Sequence, residues 1–111
     1  MEMLLIVLNH EEHFRRLVQI FDEKGIHGGT ILDSQGLATS VYQHISSNHL
    51  SSFRSLLNNG RPYNKTIFLV LDEDKLELAK ACVREAAEDL ERENVGIMFT
   101  LPVSSVEGIT K

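Results

Sequence analysis

Residues 65–90 read KTIFLVLDEDKLELAKACVREAAEDL, and this stretch decides the fold. Its first part, KTIFLVL, is apolar at nearly every position, which is typical of a strand buried within a sheet. Asp72 follows as a helix N-cap, and apolar residues then recur at helical spacing: Leu76, Ala79, Val83, Ala86 and Leu90. The sequence therefore predicts a buried strand that leads directly into a helix packed on the core.

The N-terminal part of the chain repeats this pattern of strand and helix. Residues 3–8, MLLIVL, form a second apolar run, and Asn9 with Glu12 three residues later resembles a capping box. The apolar positions that follow fit one helical face: Phe14, Leu17, Val18 and Phe21. Gly25 is placed to end this helix, because glycine tolerates the left-handed conformation found after a helix C-terminus.

Two further β segments complete the pattern. Residues 30–32 (TIL) lie between glycines, and residues 95–101 (VGIMFTL) run up to Pro102, which cannot donate a ladder hydrogen bond. The order β-α-β-loop-β-α-β is that of the ferredoxin-like split βαβ fold, an α+β architecture. We therefore expect one domain over residues 1–111, with a four-stranded antiparallel sheet and two helices on one of its faces.

Residues 37–64 separate the two halves of the chain. This segment is rich in serine and asparagine and has only a weak helical pattern, so we expect a long mobile loop. The chain has a net charge of −5, yet this segment and the residue after it carry three cations, Arg54, Arg61 and Lys65, and no carboxylate. A cationic segment on an acidic protein favours contact with an anion or with an acidic partner surface.

The apolar strands also predict self-association. The first, third and fourth strands are apolar at nearly every position, so both faces of the sheet require burial. Two helices can cover only one of these faces. We therefore expect the open face to pack against further copies of the chain.

Composition excludes several classes of protein. With 16 acidic against 11 basic residues, unspecific binding of nucleic acid is not expected. The longest apolar run, residues 3–8, is too short to span a bilayer, and no signal peptide is recognisable, so we expect a cytoplasmic protein without direct membrane insertion. The single cysteine, Cys82, excludes an intramolecular disulfide and is expected to be a small core residue.

Three further segments carry a family resemblance. They are GIHGGTILDSQG at residues 25–36, LDEDKLE at residues 71–77 and GIMFTLPVSSVEG at residues 96–108. Together they resemble the PII signal-transduction family, in its divergent PII-like branch, where the first stretch leads into the T-loop and the last forms the end strand. The resemblance implies a trimer whose sheets surround a central barrel, a regulatory rather than catalytic role, and a T-loop at about residues 37–64.

The resemblance also implies where ligands bind. In such proteins they lie in clefts between subunits, with the base of the T-loop as one wall and the B-loop of the neighbour, here residues 91–96, as the other. An adenine nucleotide or an anion such as bicarbonate would be the effector, since glycine lets backbone N–H groups approach a phosphate and threonine can bond an adenine edge. A membrane transporter or an enzyme would be the target of the T-loop. The implied effector-binding residues are Gly28, Thr30, Gly36, Arg61, Lys65 and Gly96, and the implied partner-binding residues are Tyr42 and Arg54.

Several positions depart from the family pattern. The B-loop is acidic, with Glu91 and Glu93 where the family has glycines and a lysine, and Gly108 and Thr110 stand where two arginines are usual. Most ligands of the ATP phosphates are therefore missing. We do not expect the usual binding of MgATP with 2-oxoglutarate in this chain.

One alternative stays open. A CutA-like trimer that binds a divalent metal has the same architecture, and it would require the scattered histidines to converge: His10, His13, His27, His44 and His49. His10 and His13 begin a predicted helix, where an exposed polar role is the simpler interpretation. The sequence has no nucleophile elbow and no catalytic triad pattern, so no enzyme activity is expected.

Overall fold

A computed structural model of the chain describes residues 1–45 and 63–109, with only the backbone described for residues 42–45. The elements run in the order β1 (Glu2–Leu8), α1 (Glu11–Glu23), β2 (Thr30–Asp33), α2 (Leu37–Ile45), β3 (Lys65–Leu71), α3 (Glu73–Ala87) and β4 (Gly96–Pro102). Within these two ranges, no helix combines the length and the apolar character needed to cross a membrane.

The four strands form one antiparallel sheet in the order β2-β3-β1-β4. Leu5 in the middle of β1 lies opposite Phe68 of β3 on one side and opposite Phe99 of β4 on the other. Helices α1 and α3 pack together and cover one face of this sheet. The predicted ferredoxin-like α+β fold is therefore confirmed.

The core lies between the sheet and helices α1 and α3. Alternate strand residues point into it, because successive side chains of a strand face opposite sides; Leu4, Ile6 and Leu8 are fully buried. The face of α3 that meets them is built largely from small side chains, which lets the helix approach the sheet closely: Ala79, Cys82, Val83, Ala86 and Ala87. Cys82 is a packed core residue as predicted, and burial raises the pKa of its thiol.

The two covering helices begin differently. The Asp72 carboxylate accepts a hydrogen bond from the Lys75 N–H, so this predicted N-cap is confirmed. The predicted capping box at Asn9 is wrong, because the N-cap of α1 is His10, which makes no side-chain capping bond. Asn9 instead accepts a hydrogen bond from Asn64, which directly precedes β3.

The apolar face of α1 also differs from its prediction at one position. Val18 is 42% exposed, whereas Leu17, Ile20 and Phe21 form the buried stripe. These buried residues keep the helical spacing i, i+3, i+4, but Ile20 is in the core where Val18 was predicted. Helix α3 ends at Ala87, and Leu90 packs against the core from the turn that follows.

The segment predicted as a loop from residue 37 begins instead as helix α2. The Ser40 N–H donates to the carbonyl of Gly36 at 3.0 Å, which marks the first turn. The buried residue of this turn is a threonine, Thr39, and the leucine that begins the helix, Leu37, is largely exposed. The spacing of apolar residues therefore did not predict a helix here. Residues 46–62, which include Arg54 and Arg61, lie outside the described residues.

The second face of the sheet has no helix over it in the described part of the chain. Its residues alternate with the core positions: Met3, Leu5 and Val7 on β1, Phe68 and Val70 on β3, and Ile97, Phe99 and Leu101 on β4. We call these residues the open face. The three β4 members are 54%, 42% and 43% exposed. An apolar open face is therefore present, as the strand pattern predicted.

Candidate functional site

One row of residues crosses the sheet at the end that carries the segment between β2 and β3. Asp33 of β2 pairs with Lys65 of β3, Lys65 pairs with Leu8 of β1, and Leu8 pairs with Gly96 of β4. The end of β2, the start of β3 and the start of β4 therefore lie at the same end of the sheet. However, β2 and β4 are its two opposite edges.

Lys65 is held by neighbours within its own chain. Its ammonium group forms an ion pair with the Asp33 carboxylate and lies 6.0 Å from the ring centre of Phe14 and 5.8 Å from that of Tyr63. The hydrogen bond that Lys65 donates to Asp33 raises the pKa of Lys65. Lys65 therefore anchors the start of β3 to the end of β2, and an anion would have to compete with Asp33 for its charge.

The predicted wall on β2 is exposed. Thr30 lies opposite Phe68, so its side chain is on the same side of the sheet as the open face. A Cβ atom on Gly28 would meet nothing within 4 Å, whereas one on Gly29 would lie 3.0 Å from Leu69 Cγ and 3.1 Å from the carbonyl of Phe68. Gly29, which the sequence analysis did not list as a site residue, is thus the glycine that close packing requires, whereas the space next to Gly28 is open.

Gly96 is fixed by the packing of β4 on β1. A Cβ atom there would lie 2.3 Å from the carbonyl oxygen of Val7, far inside van der Waals contact. The packing of β4 on β1 alone therefore requires glycine at position 96, whether or not this residue contacts an effector.

A groove of about 690 Å³ runs beside β4, and we call it the β4 groove. It is lined by Arg84, Glu88, Asp89, Leu90, Glu91, Gly96, Ile97 and Met98. Its lining contains three carboxylates and one guanidinium, which we call its polar rim, together with three apolar side chains. The sequence predicted a wall at residues 91–96, but it missed the contribution of the last turn of α3, since those residues read only as the end of an amphipathic helix.

The rim of the β4 groove is tied to α1. The Arg16 guanidinium donates to Glu88 Oε1 at 3.0 Å, and its hydrogen bond and charge lower the pKa of that carboxylate. Beside this pair, His13 packs edge-to-face on His10, with ring centres 5.1 Å apart. Burial lowers the pKa of His13, whose Nδ1 has no hydrogen-bond partner in the described part of the chain. Arg16 thus fixes the end of α3 on which the rim is built.

The predicted effector residues do not meet within one chain. Thr30 and Gly36 belong to the β2 edge and Gly96 to the β4 edge, with two strands between them. Arg54 and Arg61 lie outside the described residues, and of Tyr42 only the backbone, within α2, is described. A site that uses both walls therefore requires two copies of the chain.

A metal site is not formed by the residues that are described. Among residues 1–41 and 63–109, no three side chains of histidine, cysteine, aspartate or glutamate are grouped so that they could hold an ion. His10 and His13 contact each other, but no carboxylate or cysteine joins them in such a group.

Comparison with known proteins identifies the fold. No protein-family model matches the sequence, and no curated protein sequence matches it. Among solved structures, the chain is similar to the crystal structure of Arabidopsis thaliana PII bound to citrate, with 17% sequence identity and a TM-score of 0.59. The alignment covers 93% of this chain and 78% of the Arabidopsis chain. The PII-like fold implied by the sequence motifs is confirmed.

Proposed function

We propose that this chain is a ligand-responsive regulatory protein that acts as a cyclic homotrimer and binds its effector between subunits. The observation that carries the proposal is the placement of the two candidate walls. They lie on the opposite edges of the sheet, β2 and β4, and the end of β2 and the start of β4 are at the same end of it. One chain cannot close a site from two opposite edges, whereas neighbouring copies in a ring can.

The open face supports the ring. A contact in which the β2 edge of one copy meets the β4 edge of the next is heterologous, and repeated contacts of this kind close into a cyclic assembly. The same arrangement would remove the exposed open-face residues Ile97, Phe99 and Leu101 from water. Large contiguous apolar surfaces are rarely left exposed on a soluble monomer.

The charges of the two walls restrict the effector. Glu88, Asp89 and Glu91 give the β4 groove an acidic rim, which disfavours a triphosphate. The β2 wall offers the Thr30 hydroxyl and open space beside Gly28, which suits an uncharged ring edge or a small anion. We therefore propose an adenine nucleotide with few phosphates, or a small anion such as bicarbonate; the citrate bound to the Arabidopsis PII protein adds carboxylate anions to this group.

We propose that residues 37–64 are the segment through which the regulator contacts its target protein. This segment and the adjacent Lys65 carry Arg54 and Arg61 and no carboxylate, a composition that suits an acidic surface on a target transporter or enzyme. Tyr42 and Arg54 are the proposed contacts. Effector binding beside β2 would alter how this segment is presented, because only three residues separate the end of β2 from the start of α2.

A thermal-shift panel tests the proposal. The probes are ATP, ADP, AMP, cyclic AMP, cyclic di-AMP, bicarbonate, citrate, Zn²⁺ and Cu²⁺. A ligand at 100 times its dissociation constant stabilises the native state by about 2.7 kcal/mol, which raises the melting temperature measurably. We expect a selective response to a nucleotide or an anion. A response to metals alone would favour the CutA-like alternative, and no response to any probe would contradict the proposal.

A matched pair of variants locates the site. Thr30→Val removes the hydroxyl from the proposed β2 wall while keeping the shape of the side chain, and we expect it to weaken the shift. Thr100→Val makes the same change on β4 opposite Leu4, on the helix-covered side of the sheet. It should leave the shift unchanged. Equal effects of the two variants would mean that Thr30 has no specific role.

A further inference from the structure

Asn64 uses both ends of its side-chain amide in hydrogen bonds to different parts of the chain. Its Nδ2 donates to Asn9 Oδ1 at 2.9 Å, and its Oδ1 accepts from the hydroxyl of Ser34. The Ser34 N–H also donates to the Asn64 carbonyl at 3.2 Å. Since the Ser34 hydroxyl proton is directed to Asn64, Thr66 supplies the proton for the 2.8 Å contact between the Ser34 and Thr66 hydroxyls.

These bonds join chain connections that are distant in sequence. Ser34 directly follows β2 and Asn64 directly precedes β3, so the two residues form the stem of the segment between these strands. Asn9 lies between β1 and α1, and its backbone N–H donates to the carbonyl of Val95 at 3.1 Å. Val95 is buried and directly precedes β4, in the loop that also supplies Glu91 to the β4 groove.

We infer that Asn64 is a positioning residue that couples the loop beside the β4 groove to the stem formed by Ser34 and Asn64. The path runs from the Val95 carbonyl through Asn9 and the Asn64 amide to Ser34. Partly buried networks of this kind hold their members in one arrangement, because each group that loses its partner is left unsatisfied. The coupling is a property of the folded chain without ligand, but its use to transmit effector binding rests on the proposed function.

Two variants of equal charge test the role of Asn64. Asn64→Asp keeps the size of the side chain and the acceptor for Ser34, but it removes the donor to Asn9. Asn9→Asp adds the same charge and keeps the acceptor for Asn64. The measurement is amide hydrogen exchange by NMR in the protein without ligand. We expect Asn64→Asp to accelerate exchange at the Asn9 amide and in residues 88–95 about five- to tenfold, and Asn9→Asp to remain close to the unmodified chain.

Two results would overturn the inference. One is faster exchange in Asn64→Asp at Ser34 alone, with Asn9 and residues 88–95 unchanged. The other is an equal effect of Asn9→Asp. Should Asn64→Asp fail to fold, the milder pair Ser34→Ala and Asn9→Ala gives a double-mutant cycle. The two side chains share Asn64 as a partner, so coupling predicts that the double variant loses less stability than the two single losses added together, and strict additivity contradicts it.

The outcome is separable from that of the ligand panel. If Asn64→Asp accelerates exchange as expected but no probe raises the melting temperature, the role of Asn64 is supported and only the proposed function is contradicted. A ligand response without exchange coupling would support the regulator and contradict the role of Asn64.

Discussion

A Cβ atom on Gly96 would lie 2.3 Å from the carbonyl oxygen of Val7, so β4 can pair with β1 at this point only because residue 96 has no side chain. Gly96 opens β4, faces Leu8 in the sheet and lines the β4 groove. The edge strand that forms one proposed wall of the effector site is therefore positioned by this close approach.

Gly96→Ala should lower the free energy of unfolding by about 1–3 kcal/mol, because the methyl group meets backbone that cannot rotate away. Urea unfolding followed by circular dichroism measures this. Gly28→Ala is the control, since a Cβ atom there has no neighbour within 4 Å, and it should be nearly neutral. Equal stability of Gly96→Ala and the unmodified chain would contradict the strand geometry.

Phe99→Glu should break the proposed assembly while leaving the fold intact. The side chain lies in the centre of the open face, opposite Leu5, and is 42% exposed. A carboxylate there would be buried without a partner in any assembly that covers this face. Leu78→Glu is the control, because Leu78 is 38% exposed on α3, on the other side of the sheet. Light scattering should show a smaller mass for Phe99→Glu only; equal masses would contradict the role of the open face.

The stability of the fold should decrease as the pH falls through the ordinary histidine pKa of 6.5, partly because of His13. Burial lowers the pKa of this residue below its ordinary value of 6.5 in the folded chain. Between the two values the unfolded chain binds more protons, so acid favours unfolding. The charged or titratable groups around it are His10 at the N-cap of α1, Glu12 and Arg16 on α1, and Glu88 directly after α3.

His13→Gln should flatten this part of the pH profile, as measured by chemical unfolding at each pH. The unmodified chain, measured at the same pH values, is the reference. Glu88 does not interfere, because Arg16 lowers its pKa below 4.5 and its contribution is lost only at more acid pH. An unchanged slope in His13→Gln would contradict the assignment.

Asp72→Ala should lower the free energy of unfolding by about 1 kcal/mol, since it removes the acceptor for the Lys75 N–H at the start of α3. His10→Ala should cost much less, because the N-cap of α1 makes no side-chain capping bond. Thermal unfolding of the two variants provides the comparison. Equal losses would mean that the capping bond at Asp72 does not stabilise α3.

Strand and helix order could be predicted because the apolar residues carry it directly. The runs in β1 and β3 are continuous, and Ala79, Val83 and Ala86 keep helical spacing on the buried face of α3. The Asp72 cap was predictable because it depends only on neighbouring residues. An aspartate directly before a helix can accept a hydrogen bond from a backbone N–H of the first turn, here that of Lys75.

Other features depend on contacts that a linear pattern does not contain. Asn9 has the residue type and spacing of a capping residue, yet its side chain bonds to Asn64, 55 residues away in the chain. The buried residue in the first turn of α2 is Thr39, so the spacing of apolar residues does not predict this helix. The Arg16 contact with Glu88, which fixes one rim of the β4 groove, likewise joins two helices that only the tertiary fold brings together.

The central claim is that the two opposite sheet edges of neighbouring copies form one site, and the mass of the unmodified chain in solution tests it most directly. Sedimentation equilibrium or light scattering should give three times the chain mass of 12.5 kDa. A stable monomer of 12.5 kDa over the whole concentration range would contradict it, because the β2 and β4 walls would then never meet.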